Sequence, residues 1–249
     1  MADVMQKTER VYRTQATLAR TLRVCYPADR GEIVLRTELD WTRDVTPVSV
    51  SDDGLTSTFR MQADQPFLYF KPCLIANGER HWSVGSNMLL LMAEEDVRLV
   101  YPYFRSPEQG EFSPLIEFPS RILGRAHRLR VYLPPGYHEN TLTSYPVAFM
   151  QDGQNLFFPE EAFLGNEWQV DEWSRTLRAM RAVEDSIIVG VHSSDRMSEY
   201  TTPGYEAFAR SLAEEVVPEA QQRLRIAAHR RFRSVWGSSL GGVVSFYTV

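Results

Sequence analysis

The sequence predicts an α/β protein of two parts, a β-rich module over residues 1–118 and an α/β sheet over residues 119–249. In the first part, short strand segments recur between turn residues. In the second part, continuous apolar runs alternate with amphipathic helical segments, as in a sheet covered on both faces. The two parts meet in a segment where proline disfavours both helix and central strand, at Pro102, Pro107, Pro114 and Pro119.

Composition limits the functions that the chain can serve. Of its 249 residues 43% are hydrophobic and 24% charged, and the formal net charge of -5 gives no reason to expect nucleic acid or an anionic membrane as a partner. The two cysteines, Cys25 and Cys73, make neither a disulfide framework nor a metal site. The first twenty residues lack an apolar signal segment, and the run at 88–93 is too short to span a bilayer. We expect a cytoplasmic protein without metal or cofactor.

Strands of the first part are predicted at residues 21–26, 32–39, 56–61, 67–71 and 88–92. Turn-forming residues separate them, among them Asn77-Gly78. This pattern favours an antiparallel sandwich, for which about one hundred residues is the usual size. Trp41, Tyr69 and Trp82 could form a face that stacks on a ligand ring. We favour the alternative that they are core or edge aromatics, since a small sandwich buries large side chains for stability.

Residues 23–27, 31–36 and 67–72 resemble the immunoglobulin-like modules that precede the catalytic domain in some esterases and glycan-active enzymes. The resemblance implies an N-terminal immunoglobulin-like β-sandwich that looks like a carbohydrate-binding domain. It does not imply that the module binds sugar.

Strands of the second part are predicted at residues 128–133, 145–150, 186–191 and 233–236. A helix is predicted over 170–181, with its apolar stripe at Trp173, Leu177 and Met180. A longer helix with a bend at Pro218 follows, and its apolar side carries Phe208, Leu212, Val216 and Leu224. Alternation of this kind implies a parallel sheet with right-handed crossovers.

The segment Gly237-Ser238-Ser239-Leu240-Gly241 fits the G-x-S-x-G pattern of a nucleophile elbow. A serine hydroxyl is a weak nucleophile, so it has to sit exposed on a sharp strand-to-helix turn where a base can reach it. The glycines leave room for neighbouring backbone, and the Leu240 amide would point into the site. The alternative is a glycine-rich junction with a solvated serine.

Three segments that carry polar groups follow predicted strands. They are residues 152–155, residues 192–200 and Ser239. Because ligands bind beyond the carboxyl ends of the strands in such sheets, we expect these segments to meet at one edge. This convergence favours a catalytic role for Ser239 over a solvated turn.

Residues 119–249 resemble the putative-esterase branch of the α/β-hydrolases, and the layout with a preceding sandwich is most similar to enterochelin esterase-type proteins. The matching segments are residues 130–137, 151–155, 199–201 and 236–242. The resemblance implies a serine carboxylic-ester hydrolase that acts on a small-molecule or glycan-linked ester.

Site residues follow from the same resemblance. It assigns the nucleophile to Ser239 and the two oxyanion amides to Leu240 and Gln154. It places Asp152, Gly153 and Asn155 where relatives contact substrate. For Asp152-Gly153 the alternative is an ordinary turn that closes a strand.

The sequence departs from the family pattern after the nucleophile. In α/β-hydrolases the acid and the histidine follow the serine, and neither occurs among the ten residues after Ser239. We therefore expect an incomplete α/β-hydrolase sheet, with the acid and the histidine beyond residue 249. Of the upstream histidines only His192 ends a predicted strand at the correct edge. Two other functions stay open: a non-catalytic carbohydrate-binding protein, and an acyltransferase on the same scaffold.

Overall fold

The computed structural model describes residues 17–248 of the chain. These residues form two compact units, the first made of residues 17–105 with Asn140–Leu142 and the second of Ser106–Glu139 with residues 143–248. The first unit is built of strands, and the second combines a sheet with helices.

The first unit contains two sheets. One has the strand order β4-β5-β1-β9, and the other has the order β3-β2-β6-β7 with β8 also paired to β6. The strands are β1 Leu18–Cys25, β2 Glu32–Thr37, β3 Asp40–Val45, β4 Ser49–Val50, β5 Thr56–Ala63, β6 Phe67–Ala76, β7 Glu79–Trp82, β8 Met88–Leu91 and β9 Arg98–Val100. All five predicted strands are present. The pairing is antiparallel except between β1 and β9, which run parallel.

Alternating side chains of both sheets share one apolar core, which includes Leu22, Leu35, Phe59 and Phe70. The three aromatic residues singled out by sequence lie outside this core. Trp82 is 43% exposed and lies on β7, which forms one edge of its sheet. Of the two predicted placements, core or edge, the edge is therefore correct for Trp82, and all four residues of β7 are exposed. That the unit is immunoglobulin-like stays a prediction.

The second unit contains a six-stranded mixed sheet. Its order is β10-β12-β14-β13-β15, with β11 paired to β12. The strands are β10 Glu111–Phe112, β11 Ile116–Ser120, β12 Arg125–Leu133, β13 Val147–Gln151, β14 Ile187–His192 and β15 Arg233–Trp236. The pairs β14–β13 and β13–β15 are parallel, whereas β12 is antiparallel to its three neighbours β10, β11 and β14. The predicted parallel sheet is therefore wrong for β12, because residues 134–146, which connect β12 to β13, contain no helix that could form a parallel crossover.

Helices of the second unit are α1 Val170–Ala179, α2 Arg196–Tyr200, α3 Gly204–Ser211, α4 Val217–Arg223 and α5 Leu240–Thr248. The predicted long helix is present as α3, a π-helical turn at Leu212–Val216 and α4. Its apolar side is buried at Phe208, Leu212 and Val216. The π-helical turn ends at Val216, two residues before Pro218, which cannot donate a helical hydrogen bond.

Helix α1 differs from its prediction. Its bounds agree with the periodic pattern, but Trp173 is 60% and Met180 69% exposed, and no residue of the helix is fully buried. The apolar stripe therefore faces away from the core of this unit.

Candidate active site

Strand β13 lies between β14 and β15 and is parallel to both. In the register with β15, Val147 pairs with Arg233 and Met150 pairs with Trp236. Because the two strands run in the same direction, the segments that follow Gln151 and Trp236 leave the sheet at the same carboxyl edge. The Asp152 segment and the Ser239 segment are thus neighbours at this edge.

Ser239 occupies a strained turn between β15 and α5. Its φ is +54°, in the left-handed region that a serine rarely adopts, and its side chain is exposed. The turn is closed by the Gly241 N–H, which donates to the Ser238 carbonyl at 2.9 Å, and by the Val243 N–H, which donates to the Ser239 carbonyl at 3.1 Å. This is the strand-turn-helix conformation that the G-x-S-x-G pattern predicts.

The glycines on either side of Ser239 allow close contact between backbone segments. A Cβ atom on Gly237 would lie 2.3 Å from the carbonyl carbon and oxygen of Gly241. A Cβ atom on Gly241 would lie 2.9 Å from Oδ2 of Asp152. A larger residue at either position would push the serine turn away from the end of β13.

We expect Gly237→Ala to lower the free energy of unfolding by about 3 kcal/mol, because the added methyl group meets rigid backbone. Gly124→Ala is the matched control. Gly124 has a φ of +65°, but no atom lies within 4 Å of the added Cβ. We therefore expect this variant to lose only about 1 kcal/mol, from backbone strain without a steric clash. Denaturant unfolding of the two variants measures the difference. Equal losses would contradict the close contact.

Asp152 follows β13 directly and has no exposed surface. Its φ is also left-handed, at +56°. Its Oδ1 accepts from the Ser193 hydroxyl at 3.1 Å and lies 2.8 Å from Nε of Arg196, an ion pair whose angle falls short of a hydrogen bond. Its backbone N–H donates to the Tyr200 hydroxyl at 3.3 Å. Burial, followed by the Asp152 charge, raises the pKa of Tyr200, so this phenol stays protonated.

Residues Gly153–Asn155 form a short 3-10 turn after Asp152. A Cβ atom on Gly153 would lie 2.4 Å from the carbonyl carbon of Gly190, so only glycine fits against β14. The Asn155 side chain accepts from the Phe163 N–H at 2.9 Å. Asp152, Gly153 and Asn155 thus all have contacts that hold this loop in place. A direct substrate contact for any of them stays a prediction.

Two backbone amides at this edge are available as donors. Within residues 17–248 no hydrogen-bond acceptor is assigned to the N–H of Gln154 or to that of Leu240. Leu240 is the first residue of α5, and the first amides of a helix have no acceptor within the helix. The Gln154 side chain is held by Ser193: its Nε2 donates to the serine hydroxyl at 3.0 Å, and its Oε1 accepts from the serine N–H at 3.2 Å.

His192 ends β14 and is buried. Its Nε2 lies 3.9 Å from Oε2 of Glu161, which also pairs with Arg130. Burial, reinforced by Arg128 and Arg130, lowers the pKa of His192 to about 4. In the described part of the chain no histidine is in hydrogen-bonding contact with Ser239, so the structure gives no support to His192 as the base.

Residues 120–249 match the model of the family described as Putative esterase. This match covers more than half of the chain. The chain belongs to the Putative esterase family. Its elbow and its Asp-Gly-Gln-Asn loop both lie within the matched region.

Two curated proteins from one organism each match about half of this chain. The protein YjcH of Bacillus subtilis (strain 168) is 34% identical over 53% of this chain and 53% of its own length. YbbA of the same organism is 21% identical over 49% of this chain and 50% of its own length. The chain thus spans about half the length of the curated relatives that it matches.

Two solved structures of esterases are among those to which the chain shows similarity. An enterochelin esterase from Shigella flexneri is 13% identical, covers 93% of this chain and 66% of its own, and has a TM-score of 0.43. A ferulic acid esterase from Anaeromyces mucronatus is 18% identical over 58% of this chain and 54% of its own, also with a TM-score of 0.43.

Residues 17–248 contain neither a candidate metal site nor a candidate membrane span. No group of three or more His, Cys, Asp or Glu side chains is arranged to hold a metal ion. None of the described helices combines the length and the hydropathy needed to cross a membrane.

The sequence alone does not single out Arg196, which begins α2 and contacts both Asp152 and the elbow. The one available signal was its position shortly after a strand that ends at the carboxyl edge. The contact of Ser193 with Gln154 is likewise not predicted, because the two residues are 39 positions apart in the sequence.

Two buried histidines should make the folded protein less stable at acidic pH. Burial lowers the pKa values of His127 and His192 from 6.5 to about 4. Below pH 6.5 the unfolded chain therefore binds more protons than the folded chain. We expect the free energy of unfolding to fall as the pH drops from 6.5 to 4, by about 3 kcal/mol for each histidine.

Denaturant unfolding at pH 7 and pH 4.5 measures this loss. The variant His127→Asn/His192→Asn should lose most of the dependence, whereas His81→Asn, at an exposed strand position, should keep it. A double variant with the pH dependence of the parent chain would show that other groups cause it.

Proposed function

We propose that the protein is a serine carboxylic-ester hydrolase with Ser239 as its nucleophile. The observation that carries this proposal is the exposed Ser239 held at a left-handed turn, next to a loop whose Gln154 amide lacks a partner in the described residues. Membership of the Putative esterase family supports the same chemistry.

In this mechanism the Ser239 oxygen attacks the ester carbonyl carbon, and the carbonyl oxygen takes the negative charge. The N–H groups of Gln154 and Leu240 stabilise that oxyanion, each by about 3 kcal/mol of barrier. Collapse breaks the bond to the alcohol, which leaves with a proton, and an acyl-serine remains. Water then attacks the acyl-serine, and the acid is released with Ser239 restored.

Proton transfer in both steps needs a histidine and an acid that orients it. The chain order of α/β-hydrolases places both after the nucleophile. Among the described residues His192 makes no hydrogen bond to Ser239; it is buried, and its Nε2 lies 3.9 Å from Oε2 of Glu161. The activity test uses the full-length protein.

We expect the complete gene product to hydrolyse 4-nitrophenyl acetate and Ser239→Ala to lower kcat/KM by about 1,000-fold or more, because the acyl-enzyme cannot form. Ser238→Ala is the matched control and should keep its activity, since the hydrogen bonds described for Ser238 are made by its backbone carbonyl. A fluorophosphonate probe should add its mass to the peptide that contains Ser239. Unchanged hydrolysis by Ser239→Ala would reject Ser239 as the nucleophile.

A second candidate function, glycan binding by the first unit, is favoured by the exposed indole of Trp82. An exposed aromatic face can stack on a sugar ring. If the unit binds glycans, Trp82→Ala in the full chain should weaken binding of xylo-oligosaccharides in calorimetry at least tenfold, a loss of about 1.4 kcal/mol. Trp173→Ala, which removes an exposed tryptophan of the second unit, should leave it unchanged. Equal binding by both variants, or no binding at all, would remove this candidate.

A further inference from the structure

Arg196 connects two segments of the candidate site that are far apart in sequence. Its Nε lies 2.8 Å from Oδ1 of Asp152, and its Nη2 donates to the Ser238 carbonyl over a long 3.5 Å. The backbone before it is fixed, because the Asp195 side chain caps α2 by accepting from the Met197 N–H at 3.0 Å. One guanidinium group thus contacts the end of β13 and the serine elbow at the same time.

Asp152 is a buried partner in this contact. It has no exposed surface, and a buried carboxylate is stable only when a cation or several donors compensate it. Arg196 is the cation that pairs with it among the described residues. Arg196 itself is 42% exposed, so the pair lies at the boundary between the interior and the site.

The other side of Asp152 leads to the Gln154 loop. Oδ1 of Asp152 accepts from the Ser193 hydroxyl, which in turn accepts from the Gln154 side chain at 3.0 Å. The contacts therefore run from Gln154 through Ser193, Asp152 and Arg196 to Ser238. The two ends of this chain of contacts are the two segments that carry the proposed oxyanion donors.

Helix α5 also rests on Asp152. A Cβ atom on Gly241 would lie 2.9 Å from Oδ2 and 3.2 Å from Cβ of Gln151, so the first turn of the helix packs directly on the carboxylate. Rotation of this side chain would change the space available to the turn that presents Ser239 and Leu240.

We propose that Arg196 is a positioning residue for the nucleophile and the oxyanion donors: by holding Asp152 and the Ser238 carbonyl together, it sets the position of the elbow relative to the Gln154 loop. This inference rests on the proposed ester hydrolysis at Ser239. Arg196 acts through Asp152 and Ser238 and need not touch the substrate. A misplacement of about 1 Å in such a site lowers the rate about 100-fold.

Substitution of Arg196 by lysine separates charge from geometry. An ammonium group can pair with Asp152, but it lacks the planar fork of donors that reaches two acceptors in fixed directions. In the complete gene product, we expect Arg196→Lys to unfold within a few degrees of the parent protein and yet to lose about 100-fold in kcat on 4-nitrophenyl acetate, with KM changed less than threefold.

Arg196→Met removes both properties and should lower the unfolding temperature as well as kcat. In Asp152→Asn/Arg196→Met the buried carboxylate no longer needs a cation, so stability should recover while kcat stays low. Arg210→Met, which breaks an exposed ion pair with Glu214, is the matched control and should leave both unchanged.

The outcomes distinguish this inference from the proposed function. If Ser239→Ala removes hydrolysis but Arg196→Lys keeps full kcat, the positioning role is wrong and the nucleophile stands. If the main effect of Arg196→Lys is a rise in KM, Arg196 binds substrate directly and the positioning role is likewise wrong. If Ser239→Ala leaves hydrolysis unchanged, the proposed function fails whatever Arg196 does.

Discussion

Parallel pairing of β13 with both of its neighbours is the constraint on which the candidate site depends. Since β14, β13 and β15 all run in one direction, the segments that follow them leave the sheet at one edge. The segment after β14 carries Ser193 and Arg196, the segment after β13 carries Asp152 and Gln154, and the segment after β15 carries Ser239. Strand β13 is itself held by apolar packing, with Phe149 and Val147 almost completely buried. No single element contains the site; the shared direction of three strands creates it.

Backbone strain is found where these strands end. Asp152 and Ser239 both have a left-handed φ, which costs a residue with a side chain about 1 kcal/mol or more. Such conformations persist only where the surroundings fix them. Around Ser239 the fixing contact is the close approach of Gly237 to Gly241, and around Asp152 it is burial together with Arg196 and Ser193. The two strained residues are also joined, because Gly241 packs on the Asp152 carboxylate. Each turn therefore helps to hold the other.

The sequence predicts those features of the site that depend on local chemistry. The elbow is an example, since the glycine spacing and the change from strand to helix all lie within residues 233–242. Strand direction is not local. An apolar strand has the same pattern in either direction, so the sequence pattern does not indicate that β12 runs antiparallel to β14. Periodicity likewise identified helix α1 and its stripe, but it could not indicate whether Trp173 would face the core or solvent. Arg196 shows the same limit for a site residue, because its ionic partner is 44 positions away.

The Arg196–Asp152 pair has no evident advantage as a source of stability. A buried ion pair often contributes no more than apolar residues of the same volume would, because desolvation offsets the attraction between the charges. Apolar residues at these two positions, however, would not fix the orientation of the segments that carry them. The Asp152 carboxylate accepts a hydrogen bond from the Ser193 hydroxyl and forms an ion pair with Arg196, so one side chain is in contact with both residues. The Arg196 guanidinium in turn contacts two groups, this carboxylate and the Ser238 carbonyl. The value of burying charge at this edge therefore lies in orientation. It connects two strained turns at a distance that packing alone would leave free to vary.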